Sequence, residues 1–397
     1  LQGDVGSGKT LVALRAMLAV VDAGGQAALL APTEVLAKQH HASITSLLGG
    51  LGAAGTLEAH PHATQVALLT GGLTAANRRR ARESVASGEA GIVIGTHALL
   101  SEDGGFADLG FVVVDEQHRF GVEQRAALAA KSEHQPHTLV MTATPIPRSV
   151  AMTVFGDLVT SVLDELPAGR SPVTTHLVPW SRTSWIEGIW RRAAKEIAAG
   201  GRVYVVCPRI EGGDDEPQQG DAAVSDADID AERASGLLAL EEPASRPDRP
   251  LASVEEWRQR LEAEPALERI GVGVLTGRMS SEDKASAMMG FASGATPVLV
   301  STTVIEVGVD VPEASMMVIL DADRFGLSQL HQLRGRVGRG DRESVCVAVT
   351  GVEVGTTAFH RLKAFASTTD GFALAEADLD LRSEGDVLGA SQSGRTS

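Results

Sequence analysis

Cysteine is almost missing from this chain. Cys207 and Cys346 are the two present in 397 residues, and both sit in apolar, strand-like runs, VYVVC and VCVAV. That pattern argues against a disulfide framework or a cysteine metal site and for two buried, reduced thiols. Long apolar runs are lacking as well. None reaches the ~18 residues needed to cross a bilayer, so no membrane association is expected. No signal peptide is visible, but the chain begins at Leu1 rather than methionine, and the true amino terminus is expected further upstream. Basic charge is scarce too, the formal net charge being −16. Phosphate contacts need Lys and Arg, so this balance argues at first against a nucleic-acid partner. The charge is uneven, however. Residues 211–264 hold 16 acidic and 5 basic side chains, a net of −11, which leaves −5 for the other 343 residues. Whole-chain charge therefore does not exclude local basic grooves.

What is present is a repeated alternation of apolar strands and helix-like segments. One series runs AALLAP (27–32), GIVIGT (91–96), FVVVDE (111–116) and TLVMTAT (138–144). A second runs VYVVCP (203–208), GVGVLT (271–276), PVLVST (297–302) and MMVILD (316–321). Continuous rather than alternating apolar strands suit parallel sheets covered on both faces. The expected fold is therefore α/β with two tandem parallel-sheet lobes, residues 1–165 and 166–350, joined near Leu163–Val173, where two prolines and a glycine make a natural linker. An acidic, Gly/Pro/Ser-rich insertion is expected at 211–250. A small helical and looped unit follows at 351–397.

The strongest motif lies at the start. Gly3, Gly6, Ser7, Gly8, Lys9 and Thr10 fit G-x-x-x-x-G-K-[ST] in full. Glycines let backbone N–H groups turn toward phosphate oxygens, Lys9 supplies positive charge to the β- and γ-phosphates, and Thr10 offers a hydroxyl to Mg²⁺. The helix that follows points its positive end at the anion. ATP and Mg²⁺ are the expected ligands. A second carrier of chemistry is Phe111-Val-Val-Val-Asp115-Glu116-Gln117-His118. Its acids sit where a buried strand ends, the usual ligand edge of an open parallel sheet. Asp115 would hold Mg²⁺, and Glu116 would orient or deprotonate the attacking water. An Asp-Glu pair after a strand is by itself a weak signal; the phosphate-binding motif upstream gives it meaning.

DEQH, followed by Thr142-Ala143-Thr144, resembles helicase motifs II and III of superfamily 2. The longer string from Met141 to Arg148 (MTATPIPR) resembles the RecG branch-migration family and the motor of the transcription-repair coupling factor. The resemblance implies two RecA-like lobes, and it implies that Gln117, His118, Thr142 and Thr144 relay the nucleotide state to DNA. Three more segments resemble nucleic-acid-contacting motifs: Ala31-Pro32-Thr33-Glu34, Leu69-Thr70-Gly71-Gly72 and Ile94-Gly95-Thr96-His97. Small hydroxyls and backbone N–H groups at strand ends suit phosphate contact without reading bases. The run Asn77-Arg78-Arg79-Arg80 is either a DNA-backbone contact or a solvated helix face.

In the second lobe, VSTTVIEVGVDVP (300–312) resembles motif V, with Thr302, Gly308 and Asp310 as its candidate contacts. Gln332, Gly335, Arg336, Gly338 and Arg339 fit the motif VI pattern Q-x-x-G-R-x-G-R. Charge growing on a departing γ-phosphate must be answered by cations aimed at the transition state. Arg336 and Arg339, read as three apart on one helical face, are the candidate arginine fingers, with Gln332 beside them; closing and opening of the lobes would then be the motor's step. The string RFGLSQLHQLRGRVGRG resembles RecG most specifically. Thr276-Gly-Arg278-Met279 departs from the family, which usually has His at the first position. Trp180, Trp185 and Trp190 lie five apart, which is not a helix-face spacing, so ordinary packing is expected of them.

Residues 370–394 resemble the helical hairpin and loop that RecG shares with the coupling factor, a lever moving on duplex DNA. Arg382 and Gln392 match by motif, whereas Ser383 replaces the family's usual glycine. Taken together, the resemblance implies an ATP-dependent helicase and translocase that remodels forks and Holliday junctions in repair and recombination. It would act as a monomer in the bacterial cytoplasm at the nucleoid. The alternatives are a coupling-factor motor or, from another class, an inactive DNA-binding scaffold. Only Leu1 and Gln2 precede Gly3, so most of the P-loop strand, an adenine-binding segment and the family's wedge domain are expected upstream.

Overall fold

A computed structural model of the chain describes residues 1–4, 6–52, 54, 60, 63–96, 99, 105–115, 136–142, 159–163, 172–210, 251–303 and 311–392; the side chains of Ser281 and of 382–392 are excepted. Seven residues singled out from the sequence, His97, Glu116, Gln117, His118, Thr144, Gly308 and Asp310, lie outside that set, as do the insertion 211–250 and the side chains of Arg382 and Gln392. The chain forms two compact units.

The described residues of the first unit lie at 1–142 and 159–163. Five parallel strands are ordered β3 (Val66–Leu69), β4 (Ile92–Gly95), β2 (Gln26–Leu30), β5 (Leu109–Asp115) and β6 (His137–Met141). A two-residue β1 (Gln2–Gly3) pairs in parallel with β7 (Val162–Leu163) and is bridged to the end of β6 through Gln2 and Thr142. The strands read as unbroken apolar runs because both faces are covered. Ala27, Leu29, Ile92, Ile94, Phe111 and Val113 pack under α1 (Lys9–Asp22) and α2 (Glu34–Leu48), which contribute Leu14, Met17, Ala37 and Ile44. Their neighbours Ala28, Leu30, Val93, Val112 and Val114 face the other way, toward Val85 of α3 (Ala75–Ala86). Each strand thus divides its residues between two cores by its period of two. Thr33 and Thr74 begin α2 and α3 by accepting the Leu36 and Asn77 amide protons, which satisfies N–H groups the helices cannot satisfy themselves.

In the second unit, described at 172–303 and 311–392, six parallel strands are ordered β10 (Val272–Leu275), β11 (Val298–Ser301), β9 (Arg202–Val206), β12 (Ala314–Ile319), β13 (Ser344–Thr350) and β8 (Val173–Pro179). One face packs Ile189 and Trp190 of α4 (Thr183–Ala198) and Trp257 and Leu261 of α5 (Val254–Glu262). The other packs Met288 and Phe291 of α6 (Ser281–Ser293), Leu330 and Leu333 of α7 (Leu327–Arg334), and Leu362 and Phe365 of α8 (Thr357–Ser367). Leu374 brings the start of α9 (Gly371–Gln392) into that same cluster. Cys207 and Cys346 are free and buried, one in each layer. The tryptophans are packing residues in the main: Trp180 and Trp190 lie 5.8 and 5.6 Å from Trp257, ring centre to ring centre, while Trp185 is exposed.

Candidate functional site

The carboxyl edge of the first sheet collects the predicted residues in one row. Register places Leu69 beside Gly95, Gly95 beside Leu30, Leu30 beside Val114, and Asp115 beside Met141. Thr142 then bridges to Gln2, immediately before the P-loop. The edge therefore reads, in space, Thr70, Thr96, Ala31-Pro32-Thr33, Asp115, Thr142, Gly3. Strands lie ~4.8 Å apart, so Asp115 and the P-loop strand, with β6 between them, are separated by roughly 10 Å across the sheet.

The P-loop has the geometry of an anion cradle. Gly6 and Gly8 adopt φ of 85° and 89°, a region that favours glycine, and α1 starts directly after Gly8. Lys9 Nζ donates to the carbonyl oxygens of Gly3 at 2.7 Å and Asp4 at 2.9 Å, so the ammonium lies across the mouth of its own loop. Gly3 is tightly enclosed, since a Cβ there would meet Ser7 Oγ at 2.5 Å and the Leu163 carbonyl oxygen at 3.0 Å. Ser7 Oγ is buried with no hydrogen-bond partner among the described residues. A buried hydroxyl in a ring of glycines, at the N-terminus of a helix, fits a phosphate oxygen as its missing acceptor.

Asp115 ends β5 with its side chain 13% exposed, and its Oδ2 lies 2.7 Å from His40 Nε2 on α2. Asp115 and the Thr10 hydroxyl are hard oxygen donors, the kind Mg²⁺ takes together with phosphate oxygens and water. No cluster of three His, Cys, Asp or Glu occurs among the described residues.

The other half of the edge carries the threonines. Thr96 N donates to Leu69 O at 3.4 Å and Ala31 N to Gly95 O at 2.8 Å, so the three strand ends are tied to one another. Thr70 is buried, with its Oγ1 unpartnered among the described residues. The exposed Gly71-Gly72 turn beyond it is held from two sides. Glu34 Oε1 accepts the Gly72 amide proton at 2.8 Å, and Arg78 Nη2 donates to the carbonyls of Gly71 and Leu73. Of the basic run, Arg78 is thus spent on the turn, and Arg79 pairs with Glu83 on an exposed helix face.

In the second unit, Thr302 follows β11 half-buried, next to the buried Ser301, whose Oγ is unpartnered among the described residues. Gln332 lies on α7, but Arg336 and Arg339 do not share a helical face as the spacing suggested. The helix ends at Arg334; Arg336 falls in the turn beyond it and Arg339 in irregular chain. Gly335 caps the helix still in the right-handed region, and Gly338 adopts φ of 78°, which a continuing helix does not allow. Arg339 Nε donates back to Gly335 O at 3.0 Å. Sequence reasoning passed over Arg334. It is buried, and Nη1 donates to the carbonyls of Phe365 and Thr368, both at 2.8 Å. Sequence reasoning also passed over His40, because nothing in the sequence links it to an aspartate 75 residues away.

Known proteins resemble the chain throughout. Residues 1–153 match the DEAD/DEAH box helicase family and residues 245–341 the helicase conserved C-terminal domain. The ATP-dependent DNA helicase RecG of Mycobacterium tuberculosis is 52% identical over 398 residues, covering all of this chain and 50% of that protein. RecG of Streptococcus pneumoniae is 44% identical, covering 99% of this chain and 51% of its own length. The chain spans about half the length of the curated relatives it matches. A solved structure of RecG bound to a three-way DNA junction is 38% identical and superposes with a TM-score of 0.68, covering 96% of this chain and 43% of that one. Yeast Dbp5 bound to RNA and ADP BeF3, 15% identical with a TM-score of 0.57, shares the fold alone.

Proposed function

This chain belongs to the RecG family of helicases, and from that premise we propose that it is the ATP-hydrolysing motor of a translocase that remodels branched duplex DNA. The observation carrying the proposal is the single sheet edge on which the P-loop, Asp115 and the threonine-ended strands stand in one row. On this reading the loop from Gly3 to Gly8 and Lys9 bind the triphosphate, and Thr10 and Asp115 hold Mg²⁺. The cation, when bound, neutralises charge on the phosphates. Glu116 orients the attacking water. Arg336 and Arg339 answer the charge on the departing phosphate, with Gln332 beside them; Gly308 and Asp310 complete the nucleotide contacts. The assignments of Gln332, Arg336, Arg339, Gly308 and Asp310 rest on the motif pattern.

Pro32, Thr33, Thr70, Gly71, Thr96, His97 and Thr302 contact the DNA backbone, and Gln117, His118, Thr142 and Thr144 couple that contact to the nucleotide. Residues 1–165 and 166–350 act as the two lobes and 351–397 as the translocation element. Branched DNA is the proposed substrate because the 38% identical RecG structure is described as bound to a three-way junction. The test is steady-state ATPase of the full-length protein with no DNA and with single-stranded, duplex and forked DNA. Forked or duplex DNA is expected to stimulate most. Lys9→Ala is expected to lose ATP binding, Glu116→Gln to keep binding but lose turnover, and Arg339→Ala to lower kcat by roughly 10³-fold. Wild-type hydrolysis by Lys9→Ala and Glu116→Gln overturns the site.

A further inference from the structure

We propose that His40 is a positioning residue that fixes the Asp115 carboxylate for the nucleotide's divalent cation; the inference rests on the function proposed above. His40 Nε2 and Asp115 Oδ2 are 2.7 Å apart, and each side chain is only 13% exposed. An ionised carboxylate only accepts, so the imidazole donates through Nε2–H. Partial withdrawal from water strengthens that bond. With Oδ2 engaged, the plane of the carboxylate is set, and that matters for a small cation that demands near-octahedral geometry at ~2.0–2.1 Å. Carboxylate ligands are commonly held in this way by a second group, whose loss weakens metal binding by roughly 10–100-fold.

The imidazole is delivered from a rigid support. Along α2, His40 follows Ala37 by three residues and precedes Ile44 by four, and both of these are fully buried against the sheet. His40 therefore lies on the helix face that meets the sheet. The helix is fixed at its start by the Thr33 cap and by Glu34, which holds Gly72. α2 leaves the edge after β2, the strand next to β5, so the contact to Asp115 spans the seam between the threonine half of the edge and the nucleotide half.

The test is titration of Mn²⁺ into the full-length protein with ADP, followed by electron paramagnetic resonance, for the parent, His40→Ala and His40→Gln. Gln can place a donor nitrogen where Nε2 lies. Metal-free ADP affinity and thermal stability are measured alongside. His40→Ala is expected to weaken Mn²⁺ binding roughly 10–100-fold with ADP affinity changed less than about 2-fold, and His40→Gln to recover most of the loss. Parental Mn²⁺ affinity in His40→Ala overturns the inference. So does a His40→Gln variant of parental stability that binds as poorly as His40→Ala, since the ring and not the donor would then matter. If His40→Ala does not fold, the His40→Gln result decides alone. A parent that binds no Mn²⁺ with ADP overturns the proposed function instead.

Discussion

Arg334 and Phe365 are joined twice: the guanidinium carbon stands 4.5 Å from the centre of the Phe365 ring, and Nη1 donates to the Phe365 carbonyl oxygen at 2.8 Å. The same nitrogen reaches Thr368 O, and Nη2 meets His331 Nδ1 at 3.1 Å. One buried fork thus ties the last residue of α7, where the candidate finger segment begins, to the end of α8 and the turn that leads into α9. Arg334→Met should cost about 3 kcal/mol, because it strands carbonyls that have little access to water. Arg334→Lys should recover little, since a single ammonium cannot reproduce the planar fork. Urea unfolding of the full-length protein measures this, and a loss under about 0.5 kcal/mol for Arg334→Met would refute it.

The thiols carry a pH prediction. Burial pushes Cys346 up from its ordinary value of about 9 to about 12, and it pushes Cys207 up as well, aided by the negative charges of Asp321 and Glu256. The thiol form is favoured in the folded state, so the contribution of Cys346 is fully present below pH ~9 and is lost as pH rises toward 12, at up to ~1.4 kcal/mol per pH unit. The stability difference between parent and Cys346→Ala should therefore narrow above pH 9. Neither thiol should react with a disulfide reagent at pH 8 until the protein is unfolded. Rapid labelling of native protein at that pH would contradict the assignment.

The sheets and the glycine loop that precedes α1 were legible because their signals are local. An apolar run of four or five residues between turns reads as a covered strand, and a P-loop is eight consecutive residues. The buried cysteines and the packing of Trp180 and Trp190 followed from the same logic. The helical-face placement of Arg336 and Arg339 failed because spacing assumes that the helix continues, whereas it stops at Arg334 and the chain turns at Gly338, whose φ is 78°. His40 on Asp115, Glu34 on Gly72 and Arg334 on Phe365 were illegible for a different reason. Each joins segments far apart in sequence, and only the packed fold brings them within reach.

The acidic insertion should be dispensable for folding. Its flanks are tied to each other: Val254 N donates to Arg209 O at 2.9 Å, Glu255 N donates to Ile210 O at 3.2 Å, and Arg209 and Ser253 form a parallel bridge. The chain on either side of 211–250 is therefore held at one place, and a short Gly/Ser linker can close the gap. Replacement removes 12 acidic and 3 basic side chains. Thermal stability should change little, and DNA affinity at low salt should rise severalfold as repulsion is relieved. The gain should fade at high salt. Loss of folding on replacement would show the segment to be structural.

The tail separates a motor from a plain ATPase. Helices α8 and α9 are joined by Thr368-Thr369-Asp370, with Asp370 Oδ1 accepting the Phe372 amide proton at 2.8 Å. α9 is docked near its start, where Leu374 is buried in the same cluster as Leu330 and Leu333 of α7. Arg382 lies eight residues further along the helix, roughly 12 Å at ~1.5 Å per residue. A movement of α7 would therefore act on α9 at its base and be carried outward to Arg382. If the helix works as a lever on duplex DNA, Arg382→Ala should keep ATP binding and much of the DNA-stimulated hydrolysis while abolishing the unwinding of a model fork. If the tail is a passive cap, the variant should lose both activities together, through stability. The deciding quantity is base pairs unwound per ATP consumed, compared between variant and parent of matched thermal stability. A lever requires that ratio to collapse, and an unchanged ratio would leave the ATPase site standing while removing the coupling role from the tail.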